Sequence, residues 1–197
     1  IWDDYLDVIF ATLNVTVGGT DVALQQVPVF FWFSRLESVV FNDINQNGYR
    51  DDGEAGIPEQ AVNLRFRDGS IYQSFPTDTT GYVPFDEVFP FFNWLIAEVD
   101  FARFKATGAT IAVDGGGPID PNEYWSYGGK LNPQLQSENG GLPYRTETGQ
   151  VLTQAFQGFL GQTSVIEWGK AEYAAGENGG ISGIVQYATT RAENDPR

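Results

Sequence analysis

The chain has no cysteine, no histidine and no methionine among its 197 residues. Without cysteine there is no disulfide and no thiol nucleophile. Without histidine, the usual zinc and copper ligand sets and every histidine-dependent triad are excluded as well. The missing methionine means that the stretch does not begin at a start codon, and we expect it to be part of a longer polypeptide. Basic residues are scarce: 11 Lys and Arg stand against 26 Asp and Glu, for a net charge of −15. Phosphate backbones need basic partners, so nucleic-acid binding is not expected, and an anionic membrane surface fares no better. Long uninterrupted apolar runs are missing too. Residues 27–41 are broken by Pro28, Arg35 and Glu37, and residues 88–104 by Pro90, Glu98, Asp100 and Arg103. Neither qualifies as a membrane-spanning helix, and no membrane insertion is expected.

What is abundant points to β structure. Aromatics make up 15% of the chain and there are 23 glycines, which suits strands joined by tight turns. Residues 7–17 form a long β-prone run, turned by Gly18-Gly19-Thr20-Asp21 and followed by the dense apolar block Val29-Phe30-Phe31-Trp32-Phe33. That block reads as sandwich core, with an exposed aromatic sugar platform as the minority reading. Ala61-Val62-Asn63-Leu64-Arg65 alternates with period two, as a half-buried strand does. Asp68-Gly69 marks a hairpin turn, and Asp78 is expected to bond nearby amides. Residues 85–92 are expected to be an irregular connection, residues 94–100 a closing strand, and residues 153–161 a short helix or a strand. The fold class is all-β, built of β-sandwich modules.

One stretch carries chemistry. In Asp43-Ile44-Asn45-Gln46-Asn47-Gly48-Tyr49-Arg50-Asp51-Asp52-Gly53-Glu54, oxygen-bearing side chains fall at positions 1 (Asp43), 3 (Asn45), 5 (Asn47), 9 (Asp51) and 12 (Glu54). Glycine falls at position 6, and Tyr49 at 7 offers its backbone carbonyl. This is the spacing of an EF-hand loop, in which alternate residues fold oxygens around Ca²⁺ and glycine allows the sharp bend. Uncompensated, the carboxylates of Asp43, Asp51 and Glu54 repel one another. The flanks are strand-like, so the expected role of Ca²⁺ is structural. The other reading of the stretch is a polar surface loop.

The run Val-Phe-Asn-Asp-x-Asn-x-Asn-Gly-x-x-Asp-x-Gly-Glu-x-Gly-Ile-Pro at 40–58, with Asn63-Leu64-Arg65-Phe66 and the turn Thr77-Asp78-Thr79-Thr80-Gly81-Tyr82, resembles the B-type repeat modules of serine-aspartate-repeat surface proteins. These are relatives of the collagen-adhesin B-type domain. The resemblance covers residues 36–104. It implies an immunoglobulin-like or prealbumin-like sandwich, a structural Ca²⁺ and a place in an extracellular stalk. Some relatives tie their strands with a Lys–Asn isopeptide bond from a lysine in the first strand. Here that strand has none, the chain's lysines being Lys105, Lys130 and Lys170, so calcium is the expected staple.

The expected organisation is therefore a β-rich segment of a preceding module (1–35), the calcium-bearing sandwich (36–104), a loop-rich β extension (105–178) and a C-terminal strand (179–197). That strand is completed either by the next module or by a neighbouring subunit through strand addition. Asp114, Asp120, Asn122 and Glu123 offer oxygens without ligand spacing. The functional expectation is a non-catalytic, secreted or cell-surface segment with a spacing, adhesion or assembly role, whose further partners would be a carbohydrate or a host or matrix protein. The alternative is an accessory or carbohydrate-binding module of a secreted enzyme, using Trp94, Trp125 or Trp168.

Overall fold

A computed structural model describes residues 6–8, 18, 29–100, 102–115 and 132–177. Its strands are β1 (Leu6–Val8), β2 (Val29–Phe31), β3 (Ser34–Asn42), β4 (Ala61–Arg65), β5 (Ile71–Pro76), β6 (Tyr82–Val88), β7 (Asn93–Glu98), β8 (Phe104–Ala112), β9 (Arg145–Thr148), β10 (Thr153–Gln157) and β11 (Thr163–Glu172). A single 3-10 turn at Ser137–Asn139 is the one helical element among the described residues. The fold is all-β. A four-stranded sheet, β10-β7-β4-β5, faces a five-stranded sheet, β6-β3-β11-β8-β9, and β1 pairs separately with β2.

Period-two patterning decides which side chains enter the sandwich. Val62 and Leu64 of β4 are fully buried, as are Trp94 and Ile96 of β7. They meet Leu36 and Val40 of β3, Phe85 of β6 and Ile166 and Trp168 of β11. Both indoles find an acceptor: Trp168 Nε1 donates to Ser38 Oγ at 2.8 Å, and Trp94 Nε1 to the Phe89 carbonyl at 2.9 Å. In β3, Val39 and Phe41 are buried along with the core-facing residues, and the 43–57 segment folds back beside the end of the strand. Ile57 N–H reaches the Val40 carbonyl and Asn42 N–H the Ala55 carbonyl.

The hairpin at Asp68-Gly69 forms, with Gly69 at φ +89°. Asp78 Oδ1 accepts from Thr80 N–H, Thr80 Oγ1 and Tyr82 N–H, as its turn position implies. Residues 153–157 are the strand β10. The expected irregular connection at 85–92 is overturned in its first half, since β6 continues to Val88. A bulge lies where β3 shifts between Ser34 and Leu36 opposite Val88 and Phe85. It lets Phe85 and Val88, three residues apart, both turn inward while Asp86 and Glu87 face solvent.

Residues 104–172 supply four strands to the two sheets, and β11 lies between β3 and β8. It runs parallel to β3 from Thr163 opposite Arg35 to Lys170 opposite Asn42. The hairpin around Gly18-Gly19, residues 116–131 with Tyr124 and Trp125, and the 179–197 strand lie outside the described residues, Gly18 excepted.

Candidate metal centre

The loop from Asp43 to Glu54 leaves the end of β3 and winds on itself through its own side chains. Asp43 is fully buried. Its Oδ1 accepts from Asn47 N–H at 3.0 Å and its Oδ2 from Gly48 N–H at 2.8 Å. Glu54, at position 12, reaches back: Oε1 accepts from Ile44 N–H at 2.8 Å and Oε2 from Asp51 N–H at 3.0 Å. The amides of Asn45 and Asn47 both donate to Asp51 Oδ2, at 2.7 and 2.8 Å. Positions 3, 5 and 9 of the spacing thus meet at one carboxylate oxygen, and positions 1 and 12 brace the turn from either end. Gly48 has φ +77°, a conformation that costs glycine little.

The loop is seated on the five-stranded sheet. Asp43 N–H donates to the Lys170 carbonyl at 2.8 Å. Thr107 Oγ1 donates to Asp43 Oδ2 at 2.5 Å and Thr110 Oγ1 to the Gly48 carbonyl at 2.7 Å. Two glycines let the backbones come this close. A Cβ on Gly108 would lie 2.6 Å from the Gly48 Cα, and one on Gly169 would lie 2.7 Å from Asp43 Oδ2. The Tyr49 ring rests on Tyr144 with centroids 5.0 Å apart, and Tyr144's neighbouring phenol is the main cause that raises the Tyr49 pKa. Burial raises that of Glu167 on β11, and Arg50, 4.0 Å away, partly opposes it. None of Thr107, Gly108, Thr110 or Gly169 was legible from the loop spacing. The one signal for the three in β8 is a run of small residues, Ala106-Thr107-Gly108-Ala109-Thr110, which marks a close approach without saying to what; Gly169 in β11 has none.

Donor chemistry fits a hard cation. The loop supplies three carboxylates, two amide oxygens and a backbone carbonyl, with no sulfur or imidazole. Among the described residues no group of three or more Asp, Glu, His or Cys side chains converges as a metal site. Asp43 and Glu54 are engaged by loop amides, and Asp51 by the two asparagines.

The other sequence candidates have structural partners. Asp114 is buried and accepts from Thr163 N–H at 2.9 Å, while Asp120, Asn122 and Glu123 lie outside the described residues. Trp94 and Trp168 are core residues and offer no sugar-stacking face. Trp125 lies outside the described residues. Lys170, read only as a lysine in the wrong strand for an isopeptide bond, is fully buried. It bridges the two sheets, donating to Glu98 Oε2 at 2.5 Å and to the Asp100 carbonyl. Burial raises the Glu98 pKa and lowers that of Lys170, each against the pull of the other.

Among the described residues no helix is long and apolar enough to cross a membrane. No curated protein matches the chain. Residues 34–112 match the family model of the SdrD B-like domain. That span, two-fifths of the chain, runs from the first residue of β3 to the last of β8; the 43–54 loop, its flanking strands and the threonines beneath it thus all lie in the matched segment.

Proposed function

We propose that this chain is a non-catalytic, calcium-stiffened β-sandwich segment of an extracellular or cell-surface protein, serving as a spacer or assembly unit. The observation that carries the reading is the seating of the loop: a fully buried Asp43 held between the β8 hydroxyl of Thr107 and the β11 backbone. Ca²⁺ would be held by Asp43, Asn45, Asn47, the Tyr49 carbonyl, Asp51 and Glu54. It would supply the positive charge that those three carboxylates need beyond Arg50, the one basic residue of the loop, whose guanidinium reaches Glu167. Because the loop is bonded to β3, β8 and β11 at once, affinity for the ion becomes stability of the whole sandwich. The SdrD B-like match supports a surface-protein module rather than an enzyme. Adhesion to a carbohydrate or matrix protein, and strand addition by a neighbouring module, belong to the same reading.

The test is thermal unfolding of wild type and Glu54→Gln, each with calcium and with chelator. At free calcium one hundred times its dissociation constant the ion adds about 2.7 kcal/mol, a rise in Tm of roughly 5–10 °C for a chain of this size. Glu54→Gln should lose most of that rise and melt somewhat below wild type in chelator, because its amide nitrogen cannot accept one of the two N–H bonds that Glu54 takes. A common Tm in calcium and chelator for the wild type refutes the calcium reading.

A further inference from the structure

β5 and β6 are the outer strands of the two sheets, joined by the turn at 77–81, and the seam between them is open. A groove of about 860 Å³ runs along it, lined by Glu59, Phe75, Pro76, Asp78, Pro84 and Glu87 among others. Its walls are rich in acceptors and poor in donors. In an antiparallel ladder, alternate residues turn their backbone groups away from the neighbouring strand. The Ala61 carbonyl accepts from Val99 N–H on the β7 side, so Val62 and Leu64 face β5 and engage their partners Phe75 and Gln73. Ser74 and Pro76 are left facing the seam. On β6 the bond from Val40 N–H to the Gly81 carbonyl sets Ser38 and Leu36 against Val83 and Phe85, leaving Tyr82 and Pro84 outward. Tyr82 has both backbone groups taken by Asp78. Neither proline has an N–H.

An added strand needs alternating donors and acceptors, and the outward positions Ser74, Pro76, Tyr82 and Pro84 offer it one free N–H, that of Ser74. The prolines block strand addition here and leave carbonyls exposed. Carboxylates complete the picture. Glu59, Asp78 and Glu87 form no ion pair among the described residues, whereas Asp86, also on the groove, is bridged to Arg35 at 3.2 Å. Between them Phe75 is 45% exposed and is held in place against Phe85, centroids 5.7 Å apart. An aromatic face beside carboxylates that lack a countercharge, Asp78 keeping its Oδ2 clear of the turn bonds on Oδ1, suits a side chain with an apolar stem and a cationic head.

We propose that this seam binds an extended basic peptide segment, held by Lys or Arg side chains on the Glu59, Asp78 and Glu87 carboxylates and the proline carbonyls, with their stems on Phe75. The proposal stands apart from the calcium reading, because none of these groups touches the 43–54 loop.

The experiment titrates the full chain, in calcium, into a fluorescently labelled peptide of alternating Arg and Val, with alternating Glu-Val and Ser-Val peptides as comparisons. Binding is read by anisotropy at low and physiological salt. We expect the Arg-Val peptide alone to bind, and Glu87→Lys to weaken it about tenfold, a loss of roughly 1.4 kcal/mol. Phe75→Ala should weaken it by a similar factor. Glu138→Lys, on the exposed turn at Ser137–Asn139, changes net charge by the same amount and should leave affinity within twofold. Absence of binding at low salt, equal weakening by Glu87→Lys and Glu138→Lys, or indifference to Phe75→Ala would each overturn the proposal. Equal weakening would mean that the overall charge of −15 attracts the peptide, with no part played by the groove.

Discussion

Lys170 and Glu98 form a dry ion pair across the sandwich, and removing both members should cost less than the two single removals added together. Their side chains are 0% and 1% exposed, so a lone survivor would face the interior without a countercharge. Breaking such a pair typically costs about 3–5 kcal/mol, or roughly 6–20 °C in Tm at this chain length. Glu98→Leu and Lys170→Met should each fall in that range. In the double variant no charge is stranded. The Asp100 peptide loses two partners, because its N–H donates to Glu98 Oε1 at 2.9 Å and its carbonyl accepts from Lys170. That leaves a deficit of about 1–3 kcal/mol for each of the two groups, still short of the sum of the singles.

The two single variants should also respond to pH with opposite signs. Burial lowers the pKa of Lys170. The folded protein therefore favours its neutral form, and the deficit of Glu98→Leu should narrow as pH rises toward the ordinary lysine range. Burial raises that of Glu98, so the deficit of Lys170→Met should narrow as pH falls toward the ordinary glutamate range. Urea unfolding of the four proteins across pH measures both effects. Additive losses, with a double variant as damaged as the two singles combined, would show that the pair is not coupled and refute the reasoning.

Gly48→Ala should destabilise by about 2–3 kcal/mol, because it forces φ +77° on a residue with a Cβ and sets that atom 2.8 Å from the Glu147 carbonyl oxygen. Chemical denaturation in chelator reads this without any contribution from bound metal. At the 77–82 turn, bonds from Thr80 and Tyr82 hold the Asp78 carboxyl below its usual range. Its contribution is thus present above the ordinary Asp pKa and lost as pH falls through the depressed one. Asp78→Asn should flatten the acid limb of the melting profile relative to wild type, a difference that disappears in the most acid samples.

The sequence was informative where one residue type at one spacing has one physical use. Asp43, Gly48 and Glu54 announced a wound loop, Asp68-Gly69 a hairpin, and the alternation through Val62 and Leu64 a half-buried strand. It was silent where the cause lies across the chain. Nothing near residue 43 signals that Thr107 will donate to Asp43, a bond spanning 64 residues. Residues 85–92 read as irregular on Pro84, Pro90 and the Asp86-Glu87 pair, whereas the strand runs on to Val88 through a bulge set by its partner β3. Lys170 entered only as one of three lysines outside the first strand, since burial of a lysine is visible only once Glu98 is found opposite it. The placement of β11 between β3 and β8 is the largest such case, as pairing between strands some 128 residues apart leaves no mark in local composition.

That placement also sets how the segment would carry load. β3 and β11 are parallel over eight register pairs, so the chain enters the sandwich at the Ser34 end and leaves at the Glu172 end of the same ladder. Tension applied there pulls the two strands past each other, and the ladder's bonds must yield nearly together. β3 and β6 are antiparallel, with Ser34 opposite Val88, so the same tension applied through Ser34 and Val88 would peel bonds apart one by one. Single-molecule pulling with handles at residues 33 and 173 should therefore require a markedly higher force than pulling at 33 and 89. Chelator should lower the first force and leave the second nearly unchanged, because the 43–54 loop bonds the far end of β3 to β8 and β11. Equal forces in the two geometries would mean that the β3–β11 ladder does not bear the load, and a spacer built on this sandwich would have to draw its stiffness from elsewhere.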